Sequence, residues 1–187
     1  MNVFLDFEAS SLSKHSYPIE IAWVFEDGQS RSLLIAPPAN WTDWSADAER
    51  LHGISREKLA DEGVPISLVV QEMMATLSDH DLFASSPSWD GKWLSVLLRA
   101  GGVPRHALRV RKSDHLFVEV ALMLIEDRDV RGVDAAALVA NVIARSEPAG
   151  PAHRALPDAA LELERLRLVR EAIESLATAL AQPRHDC

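Results

Sequence analysis

The first ten residues, Met1-Asn2-Val3-Phe4-Leu5-Asp6-Phe7-Glu8-Ala9-Ser10, constrain this chain more than any other stretch. They form a short apolar run broken by two acids two residues apart. Side chains alternate across a strand, so Asp6 and Glu8 share one face while Val3, Leu5 and Phe7 share the other. Two carboxylates side by side at the end of a buried strand repel each other and are costly to desolvate. A divalent cation between them removes both costs. The plainer alternative is that Glu8 lies in a solvated loop and Asp6 caps it. Acids further along the chain decide between the two.

The 187 residues suffice for one domain, with hydrophobic content of 48% to fill its core. Asp6 and Glu8 break the N-terminal apolar run and no basic segment precedes it, so no signal peptide is expected. No stretch approaches the roughly 18 apolar residues of a membrane helix. Cys187 is the single cysteine, which rules out an intrachain disulfide and a cysteine-based zinc site and fits a cytoplasmic protein. The net charge of −9 argues against a protein that holds long duplexes by bulk electrostatics. It leaves room for a nucleic-acid enzyme, because acids gathered around metal ions inflate the negative count.

Further along, Ile19–Phe25 and Ser32–Ala36 read as strands joined at Asp27-Gly28, a hairpin signal, so the sheet opens with an antiparallel unit. Short helices are expected at Trp44–Leu51 and from Ser55, and a third from Pro65 to about Ser78. Leu82–Ser85 is a short strand, Asp90–Ala100 a helix, and Leu108–Lys112 a charged edge strand. Helices follow at about 114–126 and 134–145. Glu147-Pro148-Ala149-Gly150-Pro151 is a loop, and a long helix runs from about Ala155 to Ala181 with a stripe of Ala159, Ala160, Leu163, Leu166, Val169, Ile173, Leu176 and Leu180. Strands that open as a hairpin and then alternate with helices predict a mixed sheet with helices on both faces.

Two more acid positions join the first pair. Asp90 follows the fourth strand at a helix start, where capping and the helix dipole alone would favour an acid. In His153-Arg154-Ala155-Leu156-Pro157-Asp158-Ala159, Pro157 suits a first helical turn, so Asp158 lies near a helix N-terminus with His153 just before it. A capping Asp and a surface His are the plain reading of that segment.

Taken together, Asp6, Glu8, Asp90, His153 and Asp158 resemble the DEDDh family of 3′–5′ exonucleases (the polymerase III proofreading subunit, ribonuclease T and oligoribonuclease group). Asp6-Phe7-Glu8 matches the family's first motif, Asp90 its second, and His153 to Asp158 its third. Leu51-His52-Gly53-Ile54-Ser55 is also similar to a recurring segment of these enzymes. The chain departs from the pattern at Ala9, where the family usually has Thr or Ser, and at Ser85–Trp89, which lacks the usual Asn.

The resemblance, which spans about residues 2 to 163, implies a ribonuclease H-like α/β domain with a mixed five-stranded sheet over the whole of residues 1–187. It implies two divalent cations, Mg²⁺ or Mn²⁺, held by Asp6, Glu8, Asp90 and Asp158, with His153 as general base. Phe7, Ala9, Ser10 and Leu12 would line the 3′-terminal nucleotide, and Trp89 could stack a base. Trp93 is assigned to the core. Lys14, His15 and Lys92 are candidates for phosphates, as is the basic run Arg105, Arg109, Arg111 and Lys112, which could equally guard an edge strand. His52 is read as stabilising a turn, and His80, His106, His115 and His185 as surface or loop residues.

The expected function is metal-dependent 3′→5′ exonucleolysis of single-stranded ends or short oligonucleotides, releasing nucleoside 5′-monophosphates. The acidic balance tilts the substrate slightly towards RNA. Competing readings are an inactive nucleic-acid- or protein-binding module and a phosphodiesterase acting on dinucleotides. The far half of the last helix is left for a partner or a second copy, so a homodimer is among the expectations.

Overall fold

The computed structural model describes residues 1–147 and 153–181. Residues 148–151 of the expected loop, His185 and Cys187 therefore lie outside the described residues. In chain order the elements are β1 (Asn2–Ala9), β2 (Pro18–Phe25), β3 (Ser30–Ala36), α1 (Ala46–His52), α2 (Arg56–Glu62) and β4 (Val64–Pro65). They continue with α3 (Ile66–Leu77), β5 (Asp81–Ala84), α4 (Pro87–Ala100), β6 (Val110–Lys112), α5 (Ser113–Asp127), α6 (Ala135–Ser146) and α7 (Ala155–Ala181).

The strands form one mixed sheet in the order β4-β3-β2-β1-β5-β6. β1, β2 and β3 pair antiparallel, while β5 and β6 extend the sheet parallel to β1. The sheet thus has six strands where five were expected. The sixth, β4, is only two residues long and pairs with Ile35 and Ala36 of β3. A strand that short has no periodicity to read. The helix at Asp90 also begins earlier, at Pro87, because proline is at home in a first helical turn.

β1 is covered on both faces. Val3, Leu5 and Phe7 pack with Val69, Val70, Met73 and Leu77 of α3 and Trp93, Leu94, Leu97 and Leu98 of α4. Phe4, on the opposite face, packs with Phe83, with Leu116 and Phe117 of α5 and with Ala159, Leu163, Leu166, Val169 and Ile173 of α7. Asp6 and Glu8 continue the Phe4 side, so the strand's alternation carries them to where α7 begins. The stripe on α7 is shorter than expected: Ala160, Leu176 and Leu180 are exposed. Among the described residues no helix is long and apolar enough to cross a membrane.

Candidate metal centre

Four acids converge at the end of β1 that meets α4 and α7. One carboxylate oxygen from each of Asp6, Glu8 and Asp158 lies within 4.8 Å of the others. Asp90 stands outside that tight group, in the first turn of α4, and its Oδ2 is buried without a hydrogen-bond partner among the described residues. The β1–β2 register shifts between Glu8 and Ala9, an irregularity of the kind that re-aims side chains beside sites.

The electrostatics of the cluster are unfavourable without a cation. Burial, then repulsion from Asp90, Asp158 and Glu8, pushes Asp6 well above the ordinary carboxylate range. Glu8 is pushed up to about 8, chiefly by burial and then by Asp158 and Glu20, with Arg154 partly offsetting them. Burial raises Asp90 to about 7 against hydrogen bonding from the backbone around Ser86 and Phe7. Asp158 is raised by burial and drawn back by His153. Among the described residues none of the four forms a salt bridge. Among the described residues, a buried oxygen without a partner and three carboxylates within reach of one ion, with no thiol or lysine in that group, fit a hard divalent cation.

Two further buried carboxylates support this cluster, and sequence reasoning missed both. Glu20 of β2 is 1% exposed and sits directly across from Glu8 in the strand pairing. Like charges opposite each other destabilise a sheet. Here Arg154 answers Glu20 with a two-pronged contact, Nε at 2.9 Å and Nη2 at 2.6 Å. The Ala155 N–H and the Ser32 hydroxyl also donate to Glu20, at 3.2 and 3.1 Å. Together they bolt the first turn of α7 to β2, with His153 and Asp158 on either side of the bolt. The one clue in the sequence was an acid inside an otherwise apolar strand.

Glu162, one turn beyond Asp158, accepts from Ser113 of α5 and from Arg165 Nη1, the latter at 2.6 Å. Arg165 also reaches Ser146 and Glu147 at the end of α6. Glu162 is thus ion-paired with Arg165, and the pair ties α5, α6 and α7 together behind the cluster. Its i, i+4 relation to Asp158 was the available signal.

Beside the acids lies a cleft of about 200 Å³ lined by Phe7, Glu8, Ala9, Ser11, Leu12, Ala48, Leu51, His52, Trp93 and His153. Of the expected substrate contacts, Phe7, Ala9 and Leu12 line it, and Leu12 is 71% exposed. Ser10 and Trp89 do not. Ser10 is buried, donates to Asp43 and accepts from the Tyr17 N–H. Trp89 stacks on Trp93, with Lys92 over its ring. Trp93 is core as expected, yet its edge reaches the cleft and its Nε1 donates to Ser16. Lys92 is occupied by the Ser13 carbonyl and Ser16 hydroxyl at 2.6 and 2.8 Å, so it braces the loop after β1 rather than meeting a phosphate.

His52 does hold a turn, accepting from the Ile54 N–H at 3.0 Å, while Gly53 beyond it adopts φ +67° and closes α1. Its Nε2 is buried and has no partner among the described residues, and burial lowers its pKa. His80 lies in the loop between α3 and β5, as expected, and is half-buried against the Phe25 ring.

No protein-family model matches this chain, and no curated protein matches it in sequence. Solved structures do resemble it. The zinc-bound complex of Escherichia coli exonuclease I with single-stranded DNA superposes with a TM-score of 0.65 at 14% identity, covering 96% of this chain and 42% of that one. The same enzyme with a dT13 oligonucleotide gives 0.65 at 13% identity, over 96% and 43%. Exonuclease I of Methylocaldum szegediense gives 0.63 at 16% identity, over 96% and 42%. The chain spans less than half the length of these solved structures. Its mixed sheet and flanking helices have the ribonuclease H-like fold of these exonuclease I structures.

Proposed function

We propose that this chain hydrolyses phosphodiester bonds at the 3′ ends of single-stranded nucleic acid, releasing nucleoside 5′-monophosphates with the help of bound divalent cations. The observation that carries the reading is the convergence of Asp6, Glu8 and Asp158 within 4.8 Å beside a cleft that also holds His153. Those three acids and Asp90 would hold Mg²⁺ or Mn²⁺, which when bound neutralises charge on the attacked phosphate and lowers the pKa of water.

The chain's own residues do the rest. Phe7, Ala9, Leu12 and Leu51 give the terminal nucleotide an apolar wall. His153 is exposed at the cleft edge, within reach of solvent, and is the residue that accepts the proton of the attacking water. Solved exonuclease I structures with bound dA16 and dT13 support DNA as a substrate, against the slight tilt towards RNA drawn from net charge.

The test is digestion of 5′-labelled single-stranded DNA and RNA, and of a dinucleotide, with Mg²⁺ or Mn²⁺ beside an Asp6→Ala control. A one-nucleotide ladder from the 3′ end that disappears in the control is expected. No cleavage of any of the three substrates refutes the reading. The inactive-module alternative predicts no thermal stabilisation by Mn²⁺.

A further inference from the structure

The basic run at residues 105–112 divides in two in the fold. Arg111 pairs with Glu119 at 2.7 Å and lies over the Phe83 ring, and Lys112 pairs with Asp114 at 2.7 Å. Those two serve the edge strand. Arg105 and Arg109, in the segment before β6, are exposed and form neither an ion pair nor a side-chain hydrogen bond among the described residues. Both line a groove of about 430 Å³ with His106 and with Pro87, Gly91 and Ser95 of α4. Among the described residues its lining contains no carboxylate.

This is unusual for a chain of net charge −9, in which arginines are commonly matched to acids, as in Arg31–Glu72, Arg128–Glu174 and Arg170–Glu26. Two unmatched guanidiniums facing one concave surface form a receptor for anions, and their planar forks suit phosphate. The groove's place is also informative. Pro87 and Gly91 flank Asp90 in the same helical turn, so α4 presents the acid inward to the cluster and the groove outward, about 100° around the helix. A strand whose 3′ end lies at the acids can follow α4 into the groove.

We propose that this groove binds the sugar–phosphate backbone of single-stranded nucleic acid on the 5′ side of the terminal nucleotide. The position assigned to the strand rests on the exonuclease reading; the binding does not. The experiment separates the two. Fluorescein-labelled oligothymidylate and oligouridylate are titrated with the full chain in EDTA, so that nothing is cut, over a range of salt. Each phosphate contact on a single strand contributes about 0.7 to the slope of log K against log salt. The double substitution Arg105→Ala/Arg109→Ala is expected to reduce that slope by about 1.4. The loss of affinity between about 50 and about 200 mM salt then shrinks about seven-fold.

Arg131→Ala/Arg145→Ala removes the same charge elsewhere and should leave the slope unchanged. Ser95→Glu, which puts a carboxylate into the groove, should weaken binding as the double substitution does. An unchanged slope in the double variant, an equal effect in the charge-matched control, or no binding of either strand by the parent chain overturns the proposal. If the parent binds with the expected slope change yet cuts neither strand, the groove stands and the exonuclease reading falls. The two oligonucleotides distinguish DNA from RNA as the strand preferred.

Discussion

The Glu20–Arg154 contact makes an asymmetric prediction. Glu20 is 1% exposed at its side chain while Arg154 is 40% exposed. Removing the arginine strands a buried carboxylate with only the Ala155 N–H and the Ser32 hydroxyl. Breaking a buried pair in this way costs about 3–5 kcal/mol. Glu20→Gln keeps the shape and the Ala155 contact at its one oxygen, the Ser32 hydroxyl turns to accept from the amide nitrogen, and a guanidinium is freed that can turn to water. Its cost is that of weakened charged hydrogen bonds, about 1–2 kcal/mol. For a chain of this size, 1 kcal/mol shifts the melting temperature by roughly 2–4 °C. Arg154→Ala should therefore lower it by roughly 6–20 °C and Glu20→Gln by roughly 2–8 °C.

The double variant should be less destabilised than the sum of the singles, because each removes the partner the other strands. Arg154 and its hydrogen bonds now hold Glu20 below its ordinary pKa despite burial. Without the arginine, burial raises it, so the Arg154→Ala deficit should narrow as pH falls towards about 5. Thermal unfolding of the three variants across pH is the assay. Equal costs for the two single substitutions, or a deficit that does not narrow on acidification, would refute this account of the joint.

Further expectations concern the acid cluster. With Glu8 raised to about 8 and Asp90 to about 7, the folded state binds protons more tightly than the unfolded chain. The metal-free protein should accordingly be most stable near pH 5 and lose stability as pH rises to about 8, with Mn²⁺ reversing the loss; a flat profile in EDTA counts against the geometry. Asp6→Asn removes repulsion felt from Asp90, Asp158 and Glu8, so at pH 8 in EDTA its melting temperature should rise by several degrees while the gain from Mn²⁺ falls away. His153→Ala removes an exposed side chain, so stability and the Mn²⁺ shift should persist while cleavage is lost; loss of the metal shift would place His153 among the ligands instead.

Local patterns determined a good deal of this protein. Alternation in β1 assigned Asp6 and Glu8 to one face, Asp27-Gly28 marked the β2–β3 hairpin, and Pro157 with the apolar stripe located α7 from Ala155 to Ala181. These are interactions within a few residues, where period and capping chemistry act directly. The tertiary structure alone decided which charges meet. Glu20 and Arg154 are 134 residues apart, and Ser113 and Glu162 are 49 apart. No local rule distinguishes those acids from solvated ones. The same holds for Lys92, whose amine is claimed by a loop 76 to 79 residues earlier, and for the separation of Arg105 and Arg109 from their paired neighbours. The first strand named the acids that could share a cation. Only the packing of α4 and α7 against it brought Asp158 within 4.8 Å of Asp6 and Glu8 and buried Asp90 alongside, because desolvation and Coulomb repulsion depend on distances that the chain sets only when it folds.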